Sequence, residues 1–163
     1  MHGALGSLHT ALGFLCLGLG TAVVSVRKGT RQHRRLGLCY AAAMLGLNAT
    51  ALSIYRVFGG FGPFHVLALI SLATLSAGIW PALRRRPGWL ARHARLMSWS
   101  YVGLLAAAAA EAAVRLPIVR GGAAFGLAAL LASLAVVGVG AAVISRRVPL
   151  VVASQRRRSA SAS

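Results

Sequence analysis

The chain contains no aspartate, and Glu111 is its one acidic residue. That absence removes any mechanism built on two carboxylates, such as paired acid/base chemistry. Cysteine is scarce as well. Cys16 and Cys39 both lie in apolar stretches, where a free thiol packs as a small hydrophobe, so neither a disulfide framework nor a Cys–His zinc spacing is present. No glycine-rich phosphate loop follows a strand. Charge of either sign is sparse, at 12% of residues, where a soluble domain carries about a quarter.

What is present is apolar. Hydrophobic residues make up 58% of the 163, and the mean hydropathy is +0.74. The formal net charge is +17, which on a soluble surface would mark a nucleic-acid binder. Here the cations fall in short clusters between long apolar runs, and too little polar sequence remains to build such a surface. The partner read from this pattern is a lipid bilayer, and no nucleic acid.

A spanning helix needs roughly 20 mostly apolar residues. Five stretches qualify, at about 5–26, 36–58, 63–83, 96–116 and 123–144. The first has no positive n-region and reads as a retained helix. Gly59, Gly60, Phe61 and Gly62 form a turn, with Pro63 placed as a first helical residue. Pro117 closes the fourth helix, and Gly121 and Gly122 lead to the fifth. The sequence thus predicts an all-α, five-helix transmembrane bundle over 1–145, followed by a basic, disordered cytoplasmic tail over 146–163.

Orientation follows from the cations. Arg27, Lys28, Arg31, Arg34 and Arg35 share one side with Arg84, Arg85, Arg86, Arg92 and Arg95, and with Arg146, Arg147, Arg156, Arg157 and Arg158. Only Arg56, Arg115 and Arg120 fall on the other. The positive-inside rule makes the crowded side cytoplasmic, with the N-terminus outside. Trp80, Trp89 and Trp99 sit near the same boundary, as an interfacial belt requires. The clusters are read as topology signals that also attract anionic lipids of the inner leaflet of the cell membrane. Gly6, Gly13 and Gly20 in the first helix, Ala106 to Ala110 in the fourth, and Gly126, Gly138 and Gly140 in the fifth are read as helix contacts. Asn48 is read as an interhelical hydrogen-bonding residue.

Polar groups at membrane depth are costly and default to functional hypotheses. At a rise of about 1.5 Å per residue, His9 lies roughly 27 Å, His65 roughly 28 Å and Glu111 roughly 24 Å from the basic boundary. These three form a candidate metal set in one outer layer, with Arg115 one turn beyond Glu111 and able to pair with it. His33 and His93 form an inner pair at the cytoplasmic boundary. Two histidine pairs at two depths, each from alternate helices, is the arrangement of di-haem b-type membrane cytochromes, and imidazole is a common axial ligand to haem iron. His9, His65, His33 and His93 are therefore candidate ligands for haem b or a metal ion. The inner pair also fits a plain interfacial reading, among Arg31, Arg34, Arg35, Arg92 and Arg95.

The pattern resembles a bacterial family of predicted multi-pass membrane proteins with a domain of unknown function. The matching pieces are His9, then Lys28-Gly29-Thr30 with His33 and Gly37, then Met44, then Phe64-His65, then His93 with Met97, Ser100 and Tyr101. The similarity runs from about His9 to Arg115. It implies a membrane protein and no particular activity.

Two function classes follow. In the first, the protein binds haem or a metal through its histidines and passes electrons to a membrane redox partner. In the second, it is a non-enzymatic subunit, assembly factor or small transporter, with Glu111 and Arg115 as an ion or proton site or a helix-pairing device. The sequence names no reaction.

Overall fold

The computed structural model describes residues 3–55, 59–116 and 122–160. Five helices account for nearly all of them, and there is no strand among the described residues. They are α1 (Ala4–Ser25), α2 (Arg31–Leu52), α3 (Pro63–Arg84), α4 (Trp89–Ala113) and α5 (Gly122–Ala160). All five are long and apolar enough to cross a bilayer. His2, Arg56, Pro117, Arg120 and Gly121 lie outside the described residues.

The chain divides into two compact units, Met1–Ala77 and Gly78–Ser163. Helix α3 runs through the division. In the first unit α1 packs on α2. Cys16, Gly20, Tyr40 and Met44 are buried there, and Leu12 of α1 meets Gly46 of α2. Of the expected glycine stripe on α1, Gly20 is buried and Gly13 approaches Leu47, but a side chain at Gly6 would meet open space. Asn48 is buried, and its amide donates to the carbonyl of Met44 in its own helix.

The connection between α1 and α2 is fastened by the Lys28-Gly29-Thr30 segment. The Lys28 ammonium donates to the carbonyls of Val23, Val24 and Val26 at 2.9, 2.7 and 3.3 Å. These are carbonyls that the end of α1 leaves without intrahelical partners. Partial burial strips water from the ammonium and lowers its pKa from 10.5. Gly29 turns the chain at φ 80°, a left-handed conformation that a β-carbon disfavours. Thr30 then caps α2. Its hydroxyl accepts from the His33 amide at 3.1 Å and donates to the Arg27 carbonyl at 2.8 Å. The cap explains why α2 begins at Arg31, five residues before the expected start. Arg31, Arg34 and Arg35 of the boundary cluster are therefore already helical.

In the second unit α4 packs on α5. A β-carbon built on Gly140 would lie 2.5 Å from Val102 Cγ1, so glycine is what allows the two helices to meet. Gly126 and Gly138 face open space and make no such contact. Further along, Val102, Ile144 and Val148 form a buried cluster with Ala94, Trp99 and Val152 around it. α5 continues through Ala160, beyond the 123–144 span read from hydropathy. Val148 and Val152 stand one helical turn apart and carry the apolar face past Arg146 and Arg147. At 39 residues α5 is roughly 58 Å long, well beyond the ~30 Å hydrocarbon core. Pro149 withholds the amide that the Ser145 carbonyl would accept. Likewise α4 begins at Trp89, seven residues before the expected start, with Gly88 at φ 75° preceding it.

Two substitutions test these contacts by thermal unfolding of the purified protein in detergent. Thr30→Ala is expected to lower stability by about 1 kcal/mol through loss of the α2 cap. Gly140→Leu is expected to cost about 1–3 kcal/mol by overpacking, and adding Val102→Ala should restore part of it. An unchanged melting temperature for Gly140→Leu would contradict the close approach of α4 and α5.

Candidate functional site

Each candidate histidine enters a specific environment, and hydrogen-bond direction fixes the chemistry of two of the rings, His65 and His93. His65 is the third residue of α3, whose start is set by Gly62 and Pro63. The Gly62 amide donates to His65 Nδ1 at 3.1 Å, and the His65 amide donates to the Gly62 carbonyl at 3.0 Å. The imidazole thus makes the half of a capping box usually made by Glu or Gln at the third helical position, while the return bond goes to the Gly62 backbone carbonyl. An amide can only donate, so Nδ1 must accept, and the proton of the neutral ring lies on Nε2. The ring is 2% exposed. Tyr55 lies against it at a centroid distance of 4.6 Å and Phe61 at 5.0 Å. Nε2 has no hydrogen-bond partner among the described residues.

His9 meets a hydroxyl. Its Nδ1 lies 2.9 Å from the Thr50 hydroxyl oxygen. Thr50 donates its one hydroxyl proton to the Leu47 carbonyl at 2.8 Å. With that proton on the Leu47 carbonyl, the Thr50 oxygen accepts from His9 Nδ1; turned the other way, the hydroxyl donates to Nδ1. The bond also ties α1 to the last turn of α2.

His93 lies in the second unit. Its Nδ1 lies 2.8 Å from the Gly78 carbonyl oxygen, which can only accept, so Nδ1 carries the proton and Nε2 the lone pair. Backbone carbonyls commonly orient metal-bound histidines in this way. Gly78 is needed here. A β-carbon on it would come within 2.8 Å of Met97 Sδ, so Met97 and His93, one turn apart on α4, both approach α3 at this point. Trp89 lies beside the His93 ring at 6.3 Å. His33 stands in the first turn of α2, its amide held by the Thr30 hydroxyl.

Glu111 is paired with Arg115. Both side chains are exposed, and the Arg115 guanidinium also donates to the Glu111 carbonyl at 2.8 Å. An exposed pair one turn apart contributes little stability. Glu111 belongs to the second unit, whereas His9 and His65 belong to the first. Among the described residues, no group of three or more His, Cys, Asp or Glu side chains is gathered to hold a metal ion.

The sequence reading picked the histidines but not the groups that orient them. Thr50, Tyr55 and Gly78 were outside it, and Phe61 and Gly62 entered it only as part of a turn. One signal was available for His65: a Gly-Pro start with histidine at the third helical position has the spacing of a capping box. Pairings such as His9 with Thr50, 41 residues apart, leave no local signature.

The cap gives a direct prediction. His65→Ala is expected to lower thermal stability by about 0.5–2 kcal/mol, the usual range for a lost helix cap. His65→Gln keeps an acceptor at the same position and should recover part of the loss, read from melting curves of the two variants beside the parent protein.

No curated protein and no solved structure matches the chain. The family described as "Predicted membrane protein (DUF2306)" matches residues 6–152, nine-tenths of the sequence. A match of that extent, together with five helices long and apolar enough to cross a bilayer, places this protein in the DUF2306 family of membrane proteins.

Proposed function

We propose that the protein is a multi-pass component of the cell membrane, with its N-terminus outside, that uses oriented imidazoles to hold a redox cofactor for membrane electron transfer. The observation that carries this reading is the bond from His93 Nδ1 to the Gly78 carbonyl. It leaves the lone pair on Nε2 and fixes the ring, as ligands of haem b or a metal ion require. Such a group, when bound, would supply one-electron chemistry. The fit differs among the candidates. His93 fits as an Nε2 ligand, and His9 is held by Thr50 at Nδ1. His65 does not fit while it accepts the Gly62 amide, because its Nε2 bears a proton. Glu111 is engaged by Arg115. The residues themselves orient rings and hold protons, and no step beyond binding is derived from them.

The basic clusters support the rest of the reading. With one acidic residue in the chain, their counter-charge must come from outside it, and anionic lipids of the inner leaflet supply that charge. A second reading, as a subunit, assembly factor or small transporter, is favoured by the Glu111–Arg115 pair, which joins the only carboxylate to a cation at the C-terminal end of α4.

Visible spectra of protein purified from haem-supplemented cells, oxidised and dithionite-reduced, decide between the readings when combined with metal analysis. The proposal expects a Soret band or bound metal that is lost in His9→Ala or His93→Ala and retained in His65→Gln. Colourless, metal-free protein would overturn the cofactor reading and make Glu111→Gln the next variant. For orientation, a reporter fused after Arg147 is expected to be active only in the cytoplasm, and activity outside would reverse it.

A further inference from the structure

The connection between α3 and α4 gathers arginines on one short turn. Arg84 is the last residue of α3, and the Arg85 amide closes that helix on the Pro81 carbonyl at 2.9 Å. Arg85 then turns the chain at φ 47°. Among the described residues it is the one non-glycine at positive φ; Gly29, Gly59, Gly88 and Gly122 take the other such positions. A β-carbon disfavours this conformation, and glycine is the usual residue just past a helix end. A guanidinium-bearing side chain is thus kept where the backbone favours none. Arg86 follows, and its carbonyl accepts the Trp89 amide at 2.9 Å as α4 opens. From the first turn of α4, Arg92 reaches back and donates to the Pro87 carbonyl at 2.9 Å.

The charge of this turn is not neutralised from within the chain. The first turn of α4 holds no acidic residue, and Gly88 supplies no side-chain cap. A helix N-terminus carries partial positive charge, which repels cations placed beside it. Glu111 lies toward the other end of α4, roughly 28 Å from Arg92 along the axis, and is paired with Arg115. Arg84, Arg85 and Arg86 are exposed, and Arg84 is held over the Trp80 ring at 4.6 Å. Trp80 and Leu83 are 58% and 71% exposed on the last turns of a helix long enough to cross the bilayer. Dense positive charge therefore borders exposed apolar side chains. A soluble anion meets only the charge, whereas an anionic lipid meets both. A headgroup with one phosphate leaves most of the charge uncompensated. Two phosphates on one short bridge bring two negative charges to one turn, and forked guanidiniums suit phosphate oxygens.

We propose that the α3–α4 turn is a binding site for a diphosphate lipid headgroup, the class represented by cardiolipin. Arg84, Arg85, Arg86 and Arg92 meet the phosphates, and Trp80 and Leu83 meet the acyl chains. The site rests on the reading that anionic lipids supply the counter-charge of the basic clusters, and it narrows that reading to one turn and one headgroup class.

The test uses the full chain in phosphatidylcholine vesicles that contain increasing fractions of brominated cardiolipin or, at matched charge, brominated phosphatidylglycerol. The readout is quenching of tryptophan fluorescence. The parent protein is expected to half-saturate at about tenfold less cardiolipin than phosphatidylglycerol, as several arginines acting on one headgroup require. Arg85→Gly combined with Arg86→Gln should abolish that preference. Arg31→Gln combined with Arg34→Gln removes the same charge from the start of α2 and should keep it. Arg85→Gly alone should melt no lower than the parent in lipid-free detergent, because glycine suits the left-handed backbone. A preference retained by the turn variant, or lost equally in the α2 variant, would overturn the site, as would a lower melting temperature for Arg85→Gly. Equal binding of the two lipids by the parent would overturn the site and leave the general anionic-lipid reading standing. Quenching by neither lipid would overturn both. Displacement of the brominated cardiolipin by inorganic phosphate at constant ionic strength would overturn a lipid as the ligand.

Discussion

Polar groups inside a bilayer have no water to bond, so each must find a partner within the protein or among its ligands. That constraint decides what each histidine of this chain can do. An imidazole has two nitrogens and, when neutral, one proton, so whichever group meets Nδ1 determines the character of Nε2. Gly62 offers an amide to His65, whereas Gly78 offers an acceptor to His93. Rings of the same composition thereby differ: His65 carries its proton on Nε2 and His93 on Nδ1. The hydroxyls obey the same rule. Thr10, Thr21, Ser25 and Thr74 each donate to a carbonyl four residues earlier in their own helix.

The scarcity of acidic residues has a wider effect than the loss of carboxylate chemistry. With Glu111 taken by Arg115, the other cations cannot be neutralised by side chains of this chain. Lys28 instead meets backbone carbonyls at the end of α1, and Arg92 meets the carbonyl of Pro87. Arg84 lies over the Trp80 ring at 4.6 Å, a cation–π contact at the end of α3. The helix ends are thus built so that cations satisfy carbonyls and aromatic faces while leaving charge for headgroups. The same economy appears in the Lys28-Gly29-Thr30 segment, which carries part of the family resemblance and works as the joint between α1 and α2.

Much of the fold was legible because bilayer thickness sets element length. Pro63 was read correctly as the first residue of α3, since proline suits a helix start. The starts of α2 and α4 were placed too late, because hydropathy marks where apolar sequence begins and not where a cap begins. Thr30 shows the difference, since its side chain starts a helix whose first turn is basic. The helical continuation through Val148 and Val152 was missed for another reason. Composition describes that tail as polar and basic, while the contact with α4 depends on which face two valines occupy. The candidate site divides in the same way. Histidines at membrane depth stand out in a sequence with few polar residues, but their tautomers depend on Thr50, Gly62 and Gly78, which are distant or carry no side-chain signal.

The opposite protonation of the His65 and His93 rings is the claim on which the cofactor reading rests. Nitrogen-15 NMR of histidine-labelled protein in lipid discs reads it directly, because protonated and unprotonated ring nitrogens resonate far apart. The account predicts that His65 carries its proton on Nε2 while His93 carries its proton on Nδ1. A proton on Nδ1 of His65, or on Nε2 of His93, would contradict it.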